Sequence, residues 1–166
     1  KTQVLLAIQQ IELVMGKKFG GVKHPLLFSV RSGARQSMPG MMETVLNIGL
    51  NAQTVRALVK QTNNPKFVYD SFRRLMMMYA DVVMEKSNHG HRVRGDGIRI
   101  QLEKILEKIK NKNNIKNDSD LDSETLKKLC QIFQNKITKL FNQPFPEDPM
   151  EQLWGAITAV LKSWNG

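Results

Sequence analysis

The stretch from Pro25 to Asn51, PLLFSVRSGARQSMPGMMETVLNIGLN, restricts the possible folds more than any other part of this chain. Pro25 to Val30 is a short apolar run that reads as a buried strand, and Thr44 to Ile48, with its β-branched residues, reads as a second. The segment between them is rich in small and polar residues, so the unit is a strand, a loop and a returning strand. Ser32, Gly33, Ser37, Pro39 and Gly40 leave backbone N–H groups accessible, and the glycines permit approaches that a Cβ would forbid. Arg31 stands at the end of the first strand, where a guanidinium leaves the sheet yet stays held, a geometry suited to phosphate oxygens. An ion pair or plain exposure is the commoner explanation of an arbitrary arginine, and the strand end beside a Gly/Ser loop weighs against it. The pattern is neither a Gly-x-x-x-x-Gly-Lys-Ser/Thr phosphate loop nor a Gly-x-Gly-x-x-Gly dinucleotide fingerprint. From its residues alone the unit is an anion-binding hairpin in outline, with its ligand open.

The remainder reads as helices. Thr2 to Met15 carries a stripe of Val4, Leu5, Ile8, Ile11 and Met15, ended by Gly16. The chain enters this helix directly from Lys1, which reads as a cut edge inside a larger polypeptide. Ala52 to Lys60 is a short helix, and Asn64-Pro65 starts another with a cap and a proline at its first position. That helix runs to about Met84, with Val68, Phe72, Leu75, Met76, Tyr79, Val82 and Val83 along one side. Ile98 to Lys112 is helical by its isoleucine and leucine spacing, with Glu103 and Glu107 among lysines at pairing distance. Asn111 to Asp120 is a polar linker, after which Asp122 caps a helix and Leu121 and Leu126 form a staple across its start. This helix buries Leu129, Cys130, Phe133, Ile137, Leu140 and Phe141. A final helix begins at Asp148-Pro149, with Glu151 placed for a capping box and a stripe of Met150, Leu153, Trp154, Ile157, Val160, Leu161 and Trp164. The fold class is mainly α with a small β-hairpin, an α+β arrangement with too few strands for a complete sheet.

Other features resolve into ordinary roles. The 166 residues suffice for one domain with a real core, and no apolar run approaches the ~20 residues that span a bilayer. A single cysteine, Cys130, excludes an internal disulfide and reads as a buried structural thiol. Met76-Met77-Met78 reads as core packing, because no His or Cys stands at ligand spacing beside it. His89 and His91 lie in a loop with Arg92 and Arg94 and lack a third metal ligand; an exposed turn explains them, with a phosphate contact at the arginines as the alternative. Glu43 reads as an outward polar residue at the second strand, although it stands where a catalytic carboxylate could. The net charge of +10 admits nucleic acid, an anionic membrane surface or a phosphorylated ligand. Its lysines between Lys104 and Lys139, mixed with asparagine and few aromatics, form a solvated face.

Val30-Arg31-Ser32-Gly33-Ala34, with Ser37 to Asn51, closely resembles the nucleotide-binding segment of the pyruvate, phosphate dikinases. Phe67 to Arg74 agrees as well, as do Phe145-Pro146, Asp148-Pro149, Glu151-Gln152-Leu153 and Ser163-Trp164-Asn165, so the resemblance runs over nearly the whole chain. It implies a partial ATP-grasp domain including its inserted helical subdomain. Residues 1–51 would be part of the nucleotide-binding subdomain, and 52–166 the mostly helical one, its last helix returning towards the nucleotide. The implied ATP contacts are Arg31 on the phosphates, with Ser32, Gly33, Ser37, Gly40 and Met41 around it. Enzymes of this family interconvert ATP, phosphate and pyruvate with AMP, pyrophosphate and phosphoenolpyruvate, passing a phosphoryl group through a histidine on a separate swivelling domain.

The family's glycine-rich lysine segment, Mg2+ ligands, phosphohistidine and pyruvate domain match nothing here. No catalytic residue and no metal ligand is therefore expected in this stretch, and no turnover from it alone. The expected partners are ATP or AMP and the other domains of the same polypeptide, with a homo-oligomeric full-length enzyme and neither nucleic acid nor membrane. A cytoplasmic location is expected, with an organellar address open. Two other readings stand beside this one. A basic helical nucleic-acid module would bind tightly with a steep salt dependence. A protein-interaction module would use the helix ending in Trp164 and form a concentration-dependent oligomer.

Overall fold

Apolar periodicity and capping residues set most of the elements. The computed structural model describes residues 1–33, 44–86 and 95–163. Helix α1, Thr2–Met15, ends on Gly16 in the left-handed conformation. Strand β1, Lys18–Phe19, pairs in parallel with β2, Pro25–Leu26. Strand β3, Phe28–Arg31, pairs antiparallel with β4, Thr44–Ile48. The expected single strand from Pro25 to Val30 is thus two, because the chain changes partner at Leu27. The β3–β4 register sets Phe28 opposite Ile48, Val30 opposite Val45 and Arg31 opposite Thr44, with a bulge between. Asn47, at φ 61, lies within the bulged stretch, and both Val45 and Ile48 reach the core although three positions apart.

Helix α2, Ala52–Thr62, begins at a reciprocal cap: Asn51 accepts from the N–H groups of Gln53 and Thr54, and Thr54 Oγ1 accepts from Asn51 N–H. Helix α3, Pro65–Tyr79, starts on Asn64, which accepts from Phe67 N–H. The expected helix to Met84 holds in extent but changes kind, since the winding widens to a π-helix over Ala80–Lys86. Three consecutive residues, Ala80, Asp81 and Val82, are buried there, and Lys86 reaches Asp81 at 3.1 Å. Helix α4, Ile98–Lys112, leads through a 3₁₀ turn, Asp118–Asp120, into α5, Ser123–Phe141. Asp122 caps α5 by accepting from Thr125 N–H at 2.7 Å, and Leu121 and Leu126 are both buried beside it. In α6, Pro149–Ser163, Asp148 accepts from Met150 N–H at 2.9 Å.

One core joins hairpin and helices, from Val45 and Ile48 through Phe72, Leu75, Leu102, Phe133 and Leu153. Helix α3 is its spine and touches α2, α4, α5 and β4, while α6 packs on β3 and β4. Two expected stripes are corrected. In α1 only Ile8 is buried, and Leu5, Ile11 and Met15 are exposed together with Leu6, Leu13 and Val14. In α6 the expected Leu153 and Val160 are buried and Met150 and Ile157 pack against the core, but Leu161 is exposed, and Gln152, Ala156 and Ala159 join the buried face because close approach to the strands favours small residues. Among the described residues no helix is long and apolar enough to cross a membrane.

Gln152 explains how the hairpin is held at its open end, away from the connecting loop. Its amide accepts from Gly49 N–H at 2.9 Å and donates to the carbonyls of Leu50 and Pro146 at 2.9 and 2.7 Å. Asn51 donates to the Glu147 carbonyl, and Glu147 accepts from Ala52 N–H. A Cβ at Gly49, whose φ is 108, would come within 3.0 Å of Phe19 and 3.2 Å of the Leu26 carbonyl, so this corner requires glycine. These bonds anchor one end of β4, and the other end carries Arg31 and Thr44.

Candidate functional site: an arginine-lined cavity beside the hairpin

Side chains alternate along β4, so Val45 faces the core while Thr44 and Leu46 share the outer face. Arg31 lies opposite Thr44 in the register and is exposed, which sets it on that same outer face. Ser32 next to it is 2% exposed, and its hydroxyl has no hydrogen-bond partner among the described residues. At Gly33 a Cβ would meet nothing within 4 Å among the described residues, so their packing does not require glycine. Ser37, Pro39, Gly40, Met41 and Glu43 lie outside the described residues, as do His89, His91, Arg92, Arg94 and Trp164.

Leu46 also forms one wall of a cavity of about 260 Å³, whose other walls are Arg73, Arg74, Met77 and Met78 of α3, Arg99 of α4, and Asp118 of the 3₁₀ turn. Met76 of the methionine run is core as expected, whereas Met77 and Met78 line this space. Arg73 is 3% exposed and is held by Asp70 Oδ1, which accepts from its Nε at 3.0 Å and its Nη2 at 2.6 Å. Asp118 stands 3.4 Å from the same Nη2 and 3.0 Å from Lys110 Nζ. Lys110 therefore departs from the solvated lysine face expected of this region. Hydrogen bonds to Glu107 first, and then to Asp118, raise its pKa above the ordinary lysine value.

Arg74 is exposed, its side chain 58% accessible, with Nε donating to Asp70 Oδ2 at 2.7 Å. Among the described residues its two Nη groups meet no acceptor. A guanidinium tethered at Nε and open at Nη is arranged to grip an oxyanion through two parallel N–H bonds. Arg99, tied to Glu103 at 3.0 Å, adds positive charge from the facing wall. Asp70 and Asp118 are both engaged with cations, so the donor set fits phosphate oxygens and not Mg2+. Among the described residues no three His, Cys, Asp or Glu side chains gather to hold a metal. Cys130 is buried with its Sγ 3.4 Å from the Tyr69 carbonyl, and burial pushes its thiol up to about 12, which suits packing and not nucleophilic attack. A larger hollow of about 530 Å³ lies by Tyr79, Glu151 and Trp154, and among the described residues no arginine, lysine or histidine lines it.

The sequence pointed to Arg31 but passed over Arg73, Arg74, Arg99 and the two aspartates. The signal for part of this was present, since Asp70, Arg73 and Arg74 stand at i, i+3 and i+4 on one helix. Arg99 and Asp118 carried no local signal, because only folding brings α4 and the 3₁₀ turn to β4.

No family model matches the chain. Individual proteins do. It is 44% identical over 164 residues to the pyruvate, phosphate dikinase of Clostridium symbiosum, covering 98% of this chain and 18% of the relative. To that of Entamoeba histolytica it is 44% identical over 159 residues, covering 96% and 17%. The figures for Rhizobium meliloti are 42% over 164 residues, 99% and 17%. The chain thus spans less than a fifth of the length of the curated relatives it matches. Over nearly its whole length this chain is homologous to a single segment of the pyruvate, phosphate dikinases, as Val30 to Ala34 and the blocks that follow it foretold.

Proposed function

We propose that this chain is the phosphate-gripping part of the ATP-binding region of a phosphotransferase of the pyruvate, phosphate dikinase type. The observation that carries the proposal is the gathering of Arg73, Arg74 and Arg99 around one cavity beside the hairpin strand that pairs with Arg31. Arg31 lies on the outer face of the hairpin, Leu46 of that face lines the cavity, and Arg74, tethered at Nε by Asp70, lines it too. Ser32 and Gly33 complete the phosphate side, the first as a buried hydroxyl without a partner among the described residues and the second as backbone that those residues leave open. Residues 1–51 contribute the hairpin of an ATP-grasp nucleotide subdomain, and 52–166 contribute the helical subdomain that walls it.

In the full enzyme this region would hold ATP or AMP while the reaction interconverts ATP, phosphate and pyruvate with AMP, pyrophosphate and phosphoenolpyruvate through a phosphohistidine. Mg2+ bound to the nucleotide would neutralise phosphate charge. The residues described here bind and orient phosphate oxygens, and the acidic metal ligands, the phosphohistidine and the pyruvate site belong to other parts of the longer polypeptide. The chain alone therefore does not turn over.

The test is an equilibrium titration of ATP into the full-length protein that carries this chain. Arg31→Ala is expected to weaken binding by about tenfold or more, the loss of one charge-assisted pair in a partly dry site. Unchanged affinity would remove Arg31 from the site.

A further inference from the structure

Arg74 is useful to a phosphate only if its guanidinium is held edge-on, and a free arginine side chain on a helix surface samples many rotamers. The device that holds it is unusual in its connectivity. One carboxylate, Asp70, takes both neighbouring arginines, with Oδ1 on Arg73 and Oδ2 on Arg74. Asp70 cannot rotate freely, because Arg73 is nearly fully buried and grips it through two N–H groups. Arg73 in turn lies against Met77 Sδ at 3.5 Å and against Asp118, which is held from α4 by Lys110, itself paired with Glu107. Tethering runs from α4, through the 3₁₀ turn, to the Arg74 guanidinium, whose Nη groups meet no acceptor among the described residues.

We propose that Asp70 is a positioning residue for phosphate binding. By accepting from Arg74 Nε, it turns the Nη pair of Arg74 towards an oxyanion in the cavity beside Leu46, and the Arg73–Asp118 contact keeps Asp70 in place. This rests on the phosphate-binding reading above and adds its mechanism. Asp70 does not touch the ligand. It also gives the polar segment between α4 and α5 a role beyond linking helices, since Asp118 is the far anchor of the relay. Asp70 carries the negative charge that the buried Arg73 requires, so a neutral replacement leaves Arg73 with only the longer Asp118 contact.

The test is a double-mutant cycle on ATP affinity in the full-length protein, with Asp70→Asn, Arg74→Ala and the pair. Arg74→Ala alone is expected to weaken ATP about tenfold, and Asp70→Asn alone by a similar factor, since both remove the same oriented contact. In the Arg74→Ala background, Asp70→Asn is expected to change affinity less than about twofold. A purely structural role for Asp70 would instead lower affinity equally in both backgrounds, which would overturn the proposal. So would an Asp70→Asn variant that binds like wild type while Arg74→Ala binds weakly. If Asp70→Asn does not fold, the cycle is run with Asp118→Asn, expected to weaken ATP about threefold and only when Arg74 is present. Unchanged affinity in Arg74→Ala would overturn both this proposal and the place of Arg74 in the site. Unchanged affinity in Arg31→Ala with a loss in Arg74→Ala would remove only the hairpin arginine.

Discussion

Gln152 and Cys130 show opposite ways in which a polar atom is buried. Gln152 is fully enclosed and meets three backbone groups, so Gln152→Ala strands the N–H of Gly49 and the carbonyls of Leu50 and Pro146. Each orphan costs about 1–3 kcal/mol when water cannot reach it. A loss of about 3 kcal/mol is expected in urea unfolding, and a loss under about 0.5 kcal/mol would mean that β4 and α6 part easily. Cys130 has a weak donor, a carbonyl within reach and an apolar setting that keeps the thiol protonated. It is expected to ignore a disulfide reagent at neutral pH in the folded chain and to react in full after denaturation. Rapid reaction of the folded chain would show that α3 and α5 open locally.

Helix ends and contacts were legible in part because caps are local chemistry. Asp122 accepts from Thr125 N–H, and backbone and side-chain bonds to Thr125 lower its pKa below the ordinary carboxylate value. A depressed folded pKa stabilises the fold above the unfolded value and stops doing so as pH falls through the folded one. The gap in melting temperature between wild type and Asp122→Ala is therefore expected at neutral pH and should shrink on acidification through the carboxylate range. A gap that stays constant would mean that the charge plays no part in the cap. The contact between α6 and α3 is set by a missing side chain. A Cβ at Gly155 would stand 2.3 Å from the Tyr79 hydroxyl and 3.0 Å from Val83, so Gly155→Ala must push the helices apart. The expected cost is about 1–3 kcal/mol in chemical denaturation. Burial also raises the Tyr79 phenol, and near-ultraviolet titration should show it ionising only above the ordinary tyrosine range.

Helix α1 is apolar almost all round, yet Leu13 and Val14 are 82% and 86% exposed and Leu6 is exposed beside them. A helix of that composition is normally enclosed on more than one side. The 166-residue chain on its own is therefore expected to self-associate as its concentration rises, in light scattering after size exclusion. Leu13→Lys with Val14→Lys should lower the apparent mass while moving the melting temperature by less than about 2 °C, because neither side chain belongs to the core. A fall in melting temperature instead would mean that α1 is packed more fully than its exposure indicates.

Capping residues, helix spans and the hairpin's existence were legible because each rests on neighbours within a few positions. Asn64-Pro65, Asp122 and Asp148-Pro149 place helix starts, and Gly16 an end, in sequence and structure alike. The resemblance in Val30 to Ala34 likewise identified the relatives before any fold was known. Periodicity failed where surroundings decide burial: α1 has an apolar stripe that the described residues leave open, and α6 buries Gln152, Ala156 and Ala159 beside the expected Leu153 and Val160 while Leu161 is exposed. The split of Pro25–Val30 into two strands followed from a change of partner at Leu27, which no local pattern encodes. The arginine cavity needed the third dimension for the same reason. Leu46, Arg74, Arg99 and Asp118 are far apart in the chain, and only the packing of α3 against β4 and α4 makes one electrostatic surface of them. Hydrogen bonds between neighbours can be read along a chain, whereas burial and summed charge depend on what else arrives.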